Sequence, residues 1–517
     1  MGVPLSKTIT RNTLYSAYLT ALQFVVGLVM VPYLVFRLGL DYFGIWSTVF
    51  AVAGYLGFID LGASTSFVPY FAAAAARKDE QEFNRVFNTG LLFYGAAALM
   101  LTLAAPFLAG ELLDLLKIPP PLRGDTRFAL TWAIWIYVYG LWAGVFRSVL
   151  VGFQRMDISN RIEMGLALAA SAGAVLVLEL GFGLRGLILS RAVVVFGASL
   201  FTLRAALKME PIRPRFSPRL FSVDMLKKCF AYGVNTQISY LCSMGTLYLA
   251  NIVIARYLGL AAVGVYEIGR KIAQTARSLP MVLLPALVPA SADLYGRSDG
   301  DKLMRLYRTG SKYMSAVTVP LAAFLVFQME RIVRVWVGPG YGPSVLIGQV
   351  LVAAYLFNML TGVPGSIARG IDQVRLEARS STVVLFLTVL FMGAAVRSDA
   401  GLAGFAVAIW LAMSTGTLYF IVLAHRKIFH IPVGPFLAQM LLKPSASCLA
   451  AGAVSAGLFW IFPPPGGRFA EGLALATVFS VFAAAFMLLL HFVRYFDAEE
   501  TRIIFSAWRQ LKSSDRR

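Results

Sequence analysis

Long apolar runs separated by short polar connections extend along the whole chain. Two of them, "LYSAYLTALQFVVGLVMVPYLVF" (14–36) and "LALATVFSVFAAAFMLLLHFV" (473–493), are long enough as helices to cross ~30 Å of hydrocarbon. The pattern predicts an all-α polytopic membrane protein with about fourteen transmembrane helices. The predicted spans lie near residues 12–36, 44–73, 86–109, 127–152, 162–180, 184–205, 227–256, 264–292, 306–328, 343–368, 378–396, 401–424, 435–462 and 470–495.

Composition and charge agree with this prediction. Hydrophobic residues make up 58% of the 517 residues and charged residues 14%, so a soluble multidomain protein is excluded. Most Lys and Arg residues lie in connections on the side of the two termini, including 208–228, and this bias predicts that both termini are cytoplasmic. The net charge of +20 is then a topological signal and an attraction to anionic lipid, so no nucleic-acid partner is expected.

The sequence contains no pattern typical of an enzyme. Cys229, Cys242 and Cys448 form no close pair, so neither a disulfide nor a zinc site is expected. There is no phosphate-binding lysine motif for ATP hydrolysis, and the outer loop 110–126 offers acids without an acid/base constellation. We expect no catalytic residue, metal or cofactor. His425 and His430 flank a predicted cytoplasmic loop and are expected at the surface.

The chain also repeats itself. "RLGLDYFGIW" (37–46) returns as "YLGLAAVGVY" (257–266), an offset of 220 positions, and the same offset pairs Asp79 with Asp299. Six spans separate the copies, so both enter the membrane in the same direction, and such parallel repeats often enclose a transport site at their interface.

The repeat predicts how the chain is divided. We expect an N-terminal six-helix lobe (1–207), a cytoplasmic linker (208–228) and a C-terminal six-helix lobe (229–430). Two extra transmembrane helices (431–496) and a cytoplasmic tail (497–517) would follow.

One predicted span carries charges at membrane depth. In "YEIGRKIAQTARSLP" (266–280), Glu267, Arg270, Lys271, Gln274 and Arg277 fall on one helical stripe. At ~1.5 Å per residue, Arg270 lies ~9 Å and Arg277 ~20 Å inside the span. Three cations facing lipid would cost roughly 8–10 kcal/mol, so the stripe should line a water-filled, net positive cavity.

Two interpretations of this stripe stay open. The repeat counterparts Ser47, Phe50, Ala51 and Gly57 are uncharged, so the fold does not require charge there, which favours binding of an anion such as a diphosphate. The alternative is a structural ion-pair cluster whose long side chains extend toward the membrane interface.

Two further residues are weaker candidates. Asp60, deep in the second predicted span, either couples transport to a proton or sodium ion or caps a break at Gly62. Arg147, toward the cytoplasmic end of the fourth span, either guards the inner mouth of the cavity or extends to lipid phosphates.

Three stretches carry a resemblance to a known family. "YFGIWSTVFAVAGYLGFIDLG" (42–62), "GFQRMDISNRIE" (152–163) and "RGIDQVRLEARS" (369–380), within six-plus-six spans and two more, resemble the O-antigen and exopolysaccharide flippases of the multidrug/oligosaccharidyl-lipid/polysaccharide exporter superfamily. The count of fourteen also resembles that of the lipid II flippases.

The resemblance implies two lobes around a central cavity, alternating access, and outward movement of an undecaprenyl-diphosphate-linked oligosaccharide for cell-surface polysaccharide biosynthesis. It also implies residence in the bacterial inner membrane, contact with membrane lipids, and the polysaccharide polymerase and chain-length machinery as candidate partners. A cation-coupled multidrug antiporter of the same superfamily and a lipid II flippase are the alternatives. The antiporter would call for a more acidic cavity than this sequence offers.

Overall fold

A computed structural model of the chain describes residues 5–57, 63–210, 212, 214–231, 234–281, 284–461, 467–496 and 500. These residues form helices joined by short connections, and no strand occurs among them. The helices are α1 (Leu5–Tyr55), α2 (Ala63–Arg77), α3 (Glu80–Leu115), α4 (Pro120–Gly152), α5 (Met156–Glu179), α6 (Gly183–Leu207), α7 (Val223–Ala231), α8 (Val234–Leu258), α9 (Leu260–Met281), α10 (Leu287–Gly296), α11 (Gly300–Trp336), α12 (Gly342–Leu360), α13 (Gly362–Gly370), α14 (Val374–Arg397), α15 (Gly401–Ala424), α16 (Val433–Ile461) and α17 (Arg468–Phe492).

Thirteen helical segments in the described part of the chain are long and apolar enough to cross a membrane. The first of them, Leu14–Tyr55, contains 42 residues, about twice the ~20 needed for one crossing. Gly39 interrupts it with a left-handed backbone (φ 78°), so α1 supplies the first predicted span and the start of the second. The prediction of an all-α polytopic membrane protein is confirmed.

Several helices continue beyond the predicted spans. The outer loop expected at 110–126 is mostly helical, because α3 runs to Leu115 and α4 begins at Pro120. Pro120 and Pro121 are tolerated there because the first helical turn needs no N–H donor. This leaves a connection of four residues, 116–119, where the sequence predicted a loop.

Local features recur at the offset of the predicted repeat. Gly39 and Gly259 both have left-handed backbones, with φ of 78° and 86°, at the starts of matching segments. Asp79 and Asp299 both cap a helix, accepting a hydrogen bond from the backbone N–H three residues on. The hydrogen bond from Lys302 and its positive charge hold the pKa of the Asp299 carboxyl below its ordinary value. These recurrences support the repeat, which stays a prediction.

The repeated glycines also make reciprocal close contacts. A Cβ on Gly44 would lie 1.9 Å from the Leu260 carbonyl oxygen, and one on Gly264 would lie 2.8 Å from the Leu40 carbonyl oxygen. Leu40 and Leu260 are also counterparts at the predicted offset of 220 positions, so the two close contacts are equivalent under the predicted repeat. Glycine permits this close backbone approach, as small residues do at membrane helix crossings.

The described residues form two compact units. Unit 1 comprises Met1–Ile268 and Ser381–Ala408, and unit 2 comprises Gly269–Ser380 and Ile409–Arg517. Unit 1 thus includes α8, which the repeat assigns to the C-terminal lobe. Within unit 1, the Tyr55 hydroxyl on α1 donates to the Gly245 carbonyl of α8 at 3.0 Å. The predicted lobes are defined by the repeat and stay a prediction.

In unit 1, the linker 208–228 is packed against the N-terminal turns of α3. The buried Asn88 side chain donates to the Arg215 carbonyl at 2.8 Å and accepts from the Ser217 N–H at 2.7 Å. Asn84 and Thr89, also buried, bond to other linker backbone groups. The described part of the linker is therefore held by side chains of the transmembrane helix.

Replacing Asn88 by alanine is expected to destabilise the protein by roughly 2–3 kcal/mol, because it removes hydrogen bonds from backbone groups that stay buried. Thermal unfolding of the purified protein measures this change. Ser199→Ala, which removes a bond within a single helix, is the matched control and should change stability little. An equal shift in both variants would contradict a holding role for Asn88.

The core of unit 2 contains a buried polar pair that the sequence did not predict. Tyr307 is stacked between Phe429 and Phe436, with ring centroids 3.7 and 4.8 Å away. Its hydroxyl lies 2.7 Å from His425 Nε2, and His425 Nδ1 lies 3.1 Å from the Ile431 carbonyl. The surface position expected for His425 is wrong, since only 1% of it is exposed. Burial is tolerated because both ring nitrogens have partners.

The last two helices pack on α11 in unit 2. Val319 and Phe324 of α11 form a core cluster with Cys448 of α16 and Phe482 of α17. Just after α17, the Tyr495 hydroxyl donates to the Met440 carbonyl at 3.1 Å, so the end of the helical region is fixed to α16.

Candidate functional site

The predicted stripe lies on α9, between a buried face and accessible space. Ile268, Ile272 and Ala276, on the apolar side of the helix, are buried. Arg270, Lys271, Gln274 and Arg277 are each partly exposed. The helix thus buries these three apolar residues and leaves the four polar ones accessible, although Leu279 near its end is also exposed.

Close packing sets the position of the part of α9 that belongs to unit 2, from Gly269 onward. A Cβ on Gly269 would lie 2.7 Å from the Gly348 N–H nitrogen and 2.8 Å from the Ser344 carbonyl oxygen of α12. Only glycine allows α9 and α12 to approach this closely. The contact comes directly before Arg270 and therefore fixes the direction in which the following cations point.

The acidic end of the stripe is the most buried part. Glu267 is 7% exposed, and its carboxylate accepts a hydrogen bond from the Asn251 side chain of α8 at 2.8 Å. The sequence indicated pairing of Glu267 with cations one turn away on its own helix. The amide of Asn251 is an additional partner from a second helix, which gives Glu267 a role in joining α8 to α9.

The next residues form an ordered polar pair. The Arg270 guanidinium donates to the Gln274 side-chain oxygen at 2.8 Å, one helical turn along α9. Gln274 therefore helps to orient the Arg270 guanidinium. Lys271, beside Arg270, is also partly exposed, so two cationic side chains lie next to each other in the middle of the stripe.

Arg277 has different surroundings. Its guanidinium carbon lies 5.5 Å from the centre of the Tyr355 ring of α12, and Tyr355 is itself buried. Its Nε atom is buried and makes no hydrogen bond to any residue in the described ranges. An aromatic face holds the planar group without using its N–H donors. Because Nε is buried, an anion would bind to the terminal nitrogens of the guanidinium.

The other two candidates are placed differently. Asp60 lies outside the described residues. Arg147 forms an ion pair with Glu163 of α5, at 3.1 Å between Nη1 and Oε1, and half of its side chain is exposed. That pair joins the ends of α4 and α5, and a gating role for Arg147 stays a prediction.

The motif 152–163 contains a charge cluster in unit 1. The Asp157 side chain is 2% exposed and lies within 3.5 Å of Arg11, Arg155 and Arg161. In the sequence, the arginines of this motif belong to the Lys and Arg bias that predicts the cytoplasmic side. The structure adds that one buried carboxylate ties the first helix to α5, and three cations around one acid leave the cluster net positive.

Sequence reasoning missed Arg191, in the apolar interior of α6. Its guanidinium carbon lies 4.9 Å from the centre of the Phe50 ring of α1. Its Nε atom, like that of Arg277, is buried and makes no hydrogen bond to a described residue. The signal was present in the sequence, because an arginine inside a predicted span indicates a functional site.

Chemically, these groups suit anion binding. In the parts of the chain that the structure covers, no group of three His, Cys, Asp or Glu residues could hold a metal ion. The accessible cations of α9 can donate several charge-assisted hydrogen bonds to phosphate or carboxylate oxygens.

Sequence comparison matches the chain to a protein family and to known relatives. Residues 9–295 match the family described as polysaccharide biosynthesis protein. A putative O-antigen transporter of Shigella flexneri is 21% identical over 402 residues, 74% of this chain and 90% of that protein. The uncharacterized membrane protein EpsK of Bacillus subtilis (strain 168) is 22% identical over 331 residues, 63% of this chain and 65% of EpsK.

Two solved structures have a similar fold. The lipid II flippase MurJ, in an inward closed conformation, superposes with a TM-score of 0.69 over 93% of this chain and 99% of MurJ, at 12% identity. An inward-facing multidrug resistance MATE family transporter of the MOP superfamily gives a TM-score of 0.62 over 81% of this chain and 95% of its own, at 16% identity. At these identities the similarity establishes the fold.

Proposed function

The chain belongs to the polysaccharide biosynthesis protein family, and from that premise we propose that it is a lipid-linked oligosaccharide flippase. Its cargo would be an undecaprenyl-diphosphate-linked oligosaccharide that moves from the cytoplasmic to the outer leaflet for cell-surface polysaccharide biosynthesis. It would act by alternating access through a cationic central cavity. Similarity to a putative O-antigen transporter of Shigella flexneri supports this cargo class.

The observation that carries the proposal is the polar stripe of α9. Arg270, Lys271 and Arg277 are partly exposed side chains on a helix that buries the apolar residues Ile268, Ile272 and Ala276. A diphosphate cannot cross hydrocarbon without replacing its hydration shell, and guanidinium and ammonium groups supply charge-assisted hydrogen bonds in its place. These cations would lower the barrier to crossing and would stay with the protein.

The membrane potential favours the proposed direction. With a negative cell interior, outward movement of each negative charge gains ~2.3 kcal/mol per 100 mV. The proposal therefore needs no ATP site. Whether Asp60 adds ion coupling is a separate proposal that a gradient-dependence assay would test.

The remaining features of the proposal concern location and partners. The multi-pass protein would lie in the bacterial inner membrane with both termini cytoplasmic. It would contact membrane lipids and work beside the polysaccharide polymerase and chain-length machinery. No catalytic residue is proposed.

Deleting the gene tests the function and separates the alternatives. We expect an undecaprenyl-diphosphate-linked oligosaccharide to accumulate in the cytoplasmic leaflet, identified by mass spectrometry of extracted lipids. Accumulation of lipid II would instead favour a lipid II flippase. Increased sensitivity to cationic drugs without any accumulated lipid would favour the antiporter and contradict the proposal.

The proposed direction also requires the predicted topology. The three native cysteines are free and buried, so we expect that they can be replaced to give a cysteine-free protein. Single exposed cysteines can then be introduced into that protein. Pro121→Cys and Pro339→Cys, near the predicted outer ends, should react with a membrane-impermeant maleimide in intact cells. Glu80→Cys and Asp301→Cys, in the opposite connections, should react only after permeabilisation. The reverse pattern would invert the transport direction.

A further inference from the structure

Arg191 shares two unusual features with Arg277. Among the described residues, these are the two arginines that both stack on an aromatic ring and have a buried Nε without a hydrogen-bond partner. Arg277 lies in unit 2 and was singled out from its sequence pattern. Arg191 lies in unit 1, on a different helix, and was not.

The side chain of Arg191 does not face lipid. Leu189 and Val193 lie two positions before and two positions after Arg191, which is about 200° around the helix. They therefore project from the opposite side of α6, and both are exposed. Leu187 and Ile188, which share a face with Arg191, are buried. Arg191 therefore projects toward the interior of unit 1, where it meets Phe50.

An interior cation in a membrane protein needs an anion or water. Arg191 makes no ion pair or hydrogen bond with any residue in the described part of the chain. The residue as a whole is only partly buried, and its terminal N–H groups have no partner among the described residues. The ring of Phe50 holds the guanidinium plane and leaves those N–H groups unused.

The predicted repeat pairs Phe50 with a cation of the second copy. Phe50 is the counterpart of Arg270 at the offset of 220 positions. In the second copy, the cation at this position is Arg270 of α9. In the first copy, the position is occupied by the aromatic residue Phe50, and the cation that stacks on it, Arg191, comes from α6.

We propose that Arg191 and Phe50 form an anion-binding subsite of unit 1 that contacts an oxyanion of the transported lipid-linked sugar. This inference rests on the proposed flippase function. The oxyanion is either a phosphate of the lipid carrier or the carboxylate of an acidic sugar, because both present the paired oxygens that a guanidinium binds in a bidentate manner. Each unit then carries its own ring-stacked arginine for anion binding.

Binding to purified protein tests the subsite with two lipid probes. One is undecaprenyl diphosphate carrying a neutral disaccharide, and the other carries a disaccharide that contains glucuronic acid. Arg191→Ala should weaken binding about tenfold or more, the range expected for a lost charge-assisted hydrogen bond. Weakening of both probes identifies the phosphate as the ligand, and weakening of the acidic probe alone identifies the carboxylate. Arg191→Lys should recover part of the loss, since it keeps charge without the bidentate fork.

Arg185→Ala is the matched control. Arg185 lies on the same helix and stacks on Phe128 at 5.6 Å, but it is paired with Asp125 at 2.7 Å. Its removal should leave the affinity for both probes unchanged. The melting temperature separates binding from support of the fold. An unpaired interior cation is costly, so Arg191→Ala should leave the melting temperature unchanged or raise it.

The outcomes separate the two proposals. If Arg277→Ala weakens binding and Arg191→Ala does not, the subsite is wrong and the flippase stands. If neither variant changes binding of either probe, the cationic site of the proposed function fails as well. A lowered melting temperature with unchanged affinity for Arg191→Ala would make Arg191 a structural residue and overturn the subsite.

Discussion

Replacing Arg277 by alanine is expected to lower lipid-linked oligosaccharide transport by about 10–100-fold, the factor that corresponds to one lost charge-assisted hydrogen bond. The guanidinium rests on Tyr355 and has an unbonded Nε, so little of the fold depends on it. Protein abundance and thermal stability should therefore stay near those of the parent. Transport is measured as surface polysaccharide in cells whose genomic copy has been deleted.

Two further variants sharpen this result. Arg277→Lys should recover only part of the activity, because lysine retains the charge and loses the planar fork. Arg297→Ala, which removes an exposed arginine paired with Asp293 at 3.0 Å, is the control and should transport normally. Full transport by Arg277→Ala would show that the α9 stripe has a structural role and does not bind the substrate.

Replacing Gly44 by alanine is expected to prevent stable folding, at a cost of roughly 4 kcal/mol or more. The new Cβ would lie 1.9 Å from the Leu260 carbonyl oxygen, and two helix backbones would have to separate. Gly264→Ala, with a closest approach of 2.8 Å, should have a smaller effect of the same kind. Yield of folded protein after detergent extraction, followed by thermal unfolding, measures both.

Gly165→Ala is the control for this series, because nothing lies within 4 Å of its new Cβ and alanine favours a helix. The expected order of stability is Gly165→Ala above Gly264→Ala above Gly44→Ala. Equal yields of all three variants would contradict the close crossing of the two repeat copies.

Much of the fold could be predicted from local sequence. Membrane helices satisfy their own backbone hydrogen bonds, so a run of about 20 apolar residues is sufficient to predict one. The offset that joins Gly39 to Gly259 and Asp79 to Asp299 also follows from sequence, and their left-handed backbones and caps agree with it. The positions at which helices end outside the membrane were harder to predict. The sequence predicted a loop over 110–126, but the connection comprises only residues 116–119.

Contacts between distant segments could not be predicted. His425 is polar and lies near a connection, which is typical of a surface residue, but Tyr307 and the Ile431 carbonyl satisfy it in the core. The hydrogen bonds that hold linker 208–228 to Asn84, Asn88 and Thr89 join residues more than a hundred positions apart.

Only part of the candidate site could be predicted, because several of its contacts also join distant segments. The stripe of α9 follows from helical periodicity within one segment. The ring under Arg277, the amide beside Glu267 and the pairing of Arg191 with Phe50 come from other helices. No single-segment pattern contains that information, so each required the three-dimensional structure.

Reconstitution of the purified protein into liposomes tests the central claim most directly. The liposomes would contain undecaprenyl diphosphate linked to a fluorescent oligosaccharide, and a membrane-impermeant quencher would report how much of it faces outward. We predict rapid, protein-dependent exchange between leaflets that becomes about 10–100-fold slower when Arg277 is replaced by alanine. Exchange no faster than in protein-free liposomes, in protein whose fold has been verified, would contradict the assignment of this chain as a flippase.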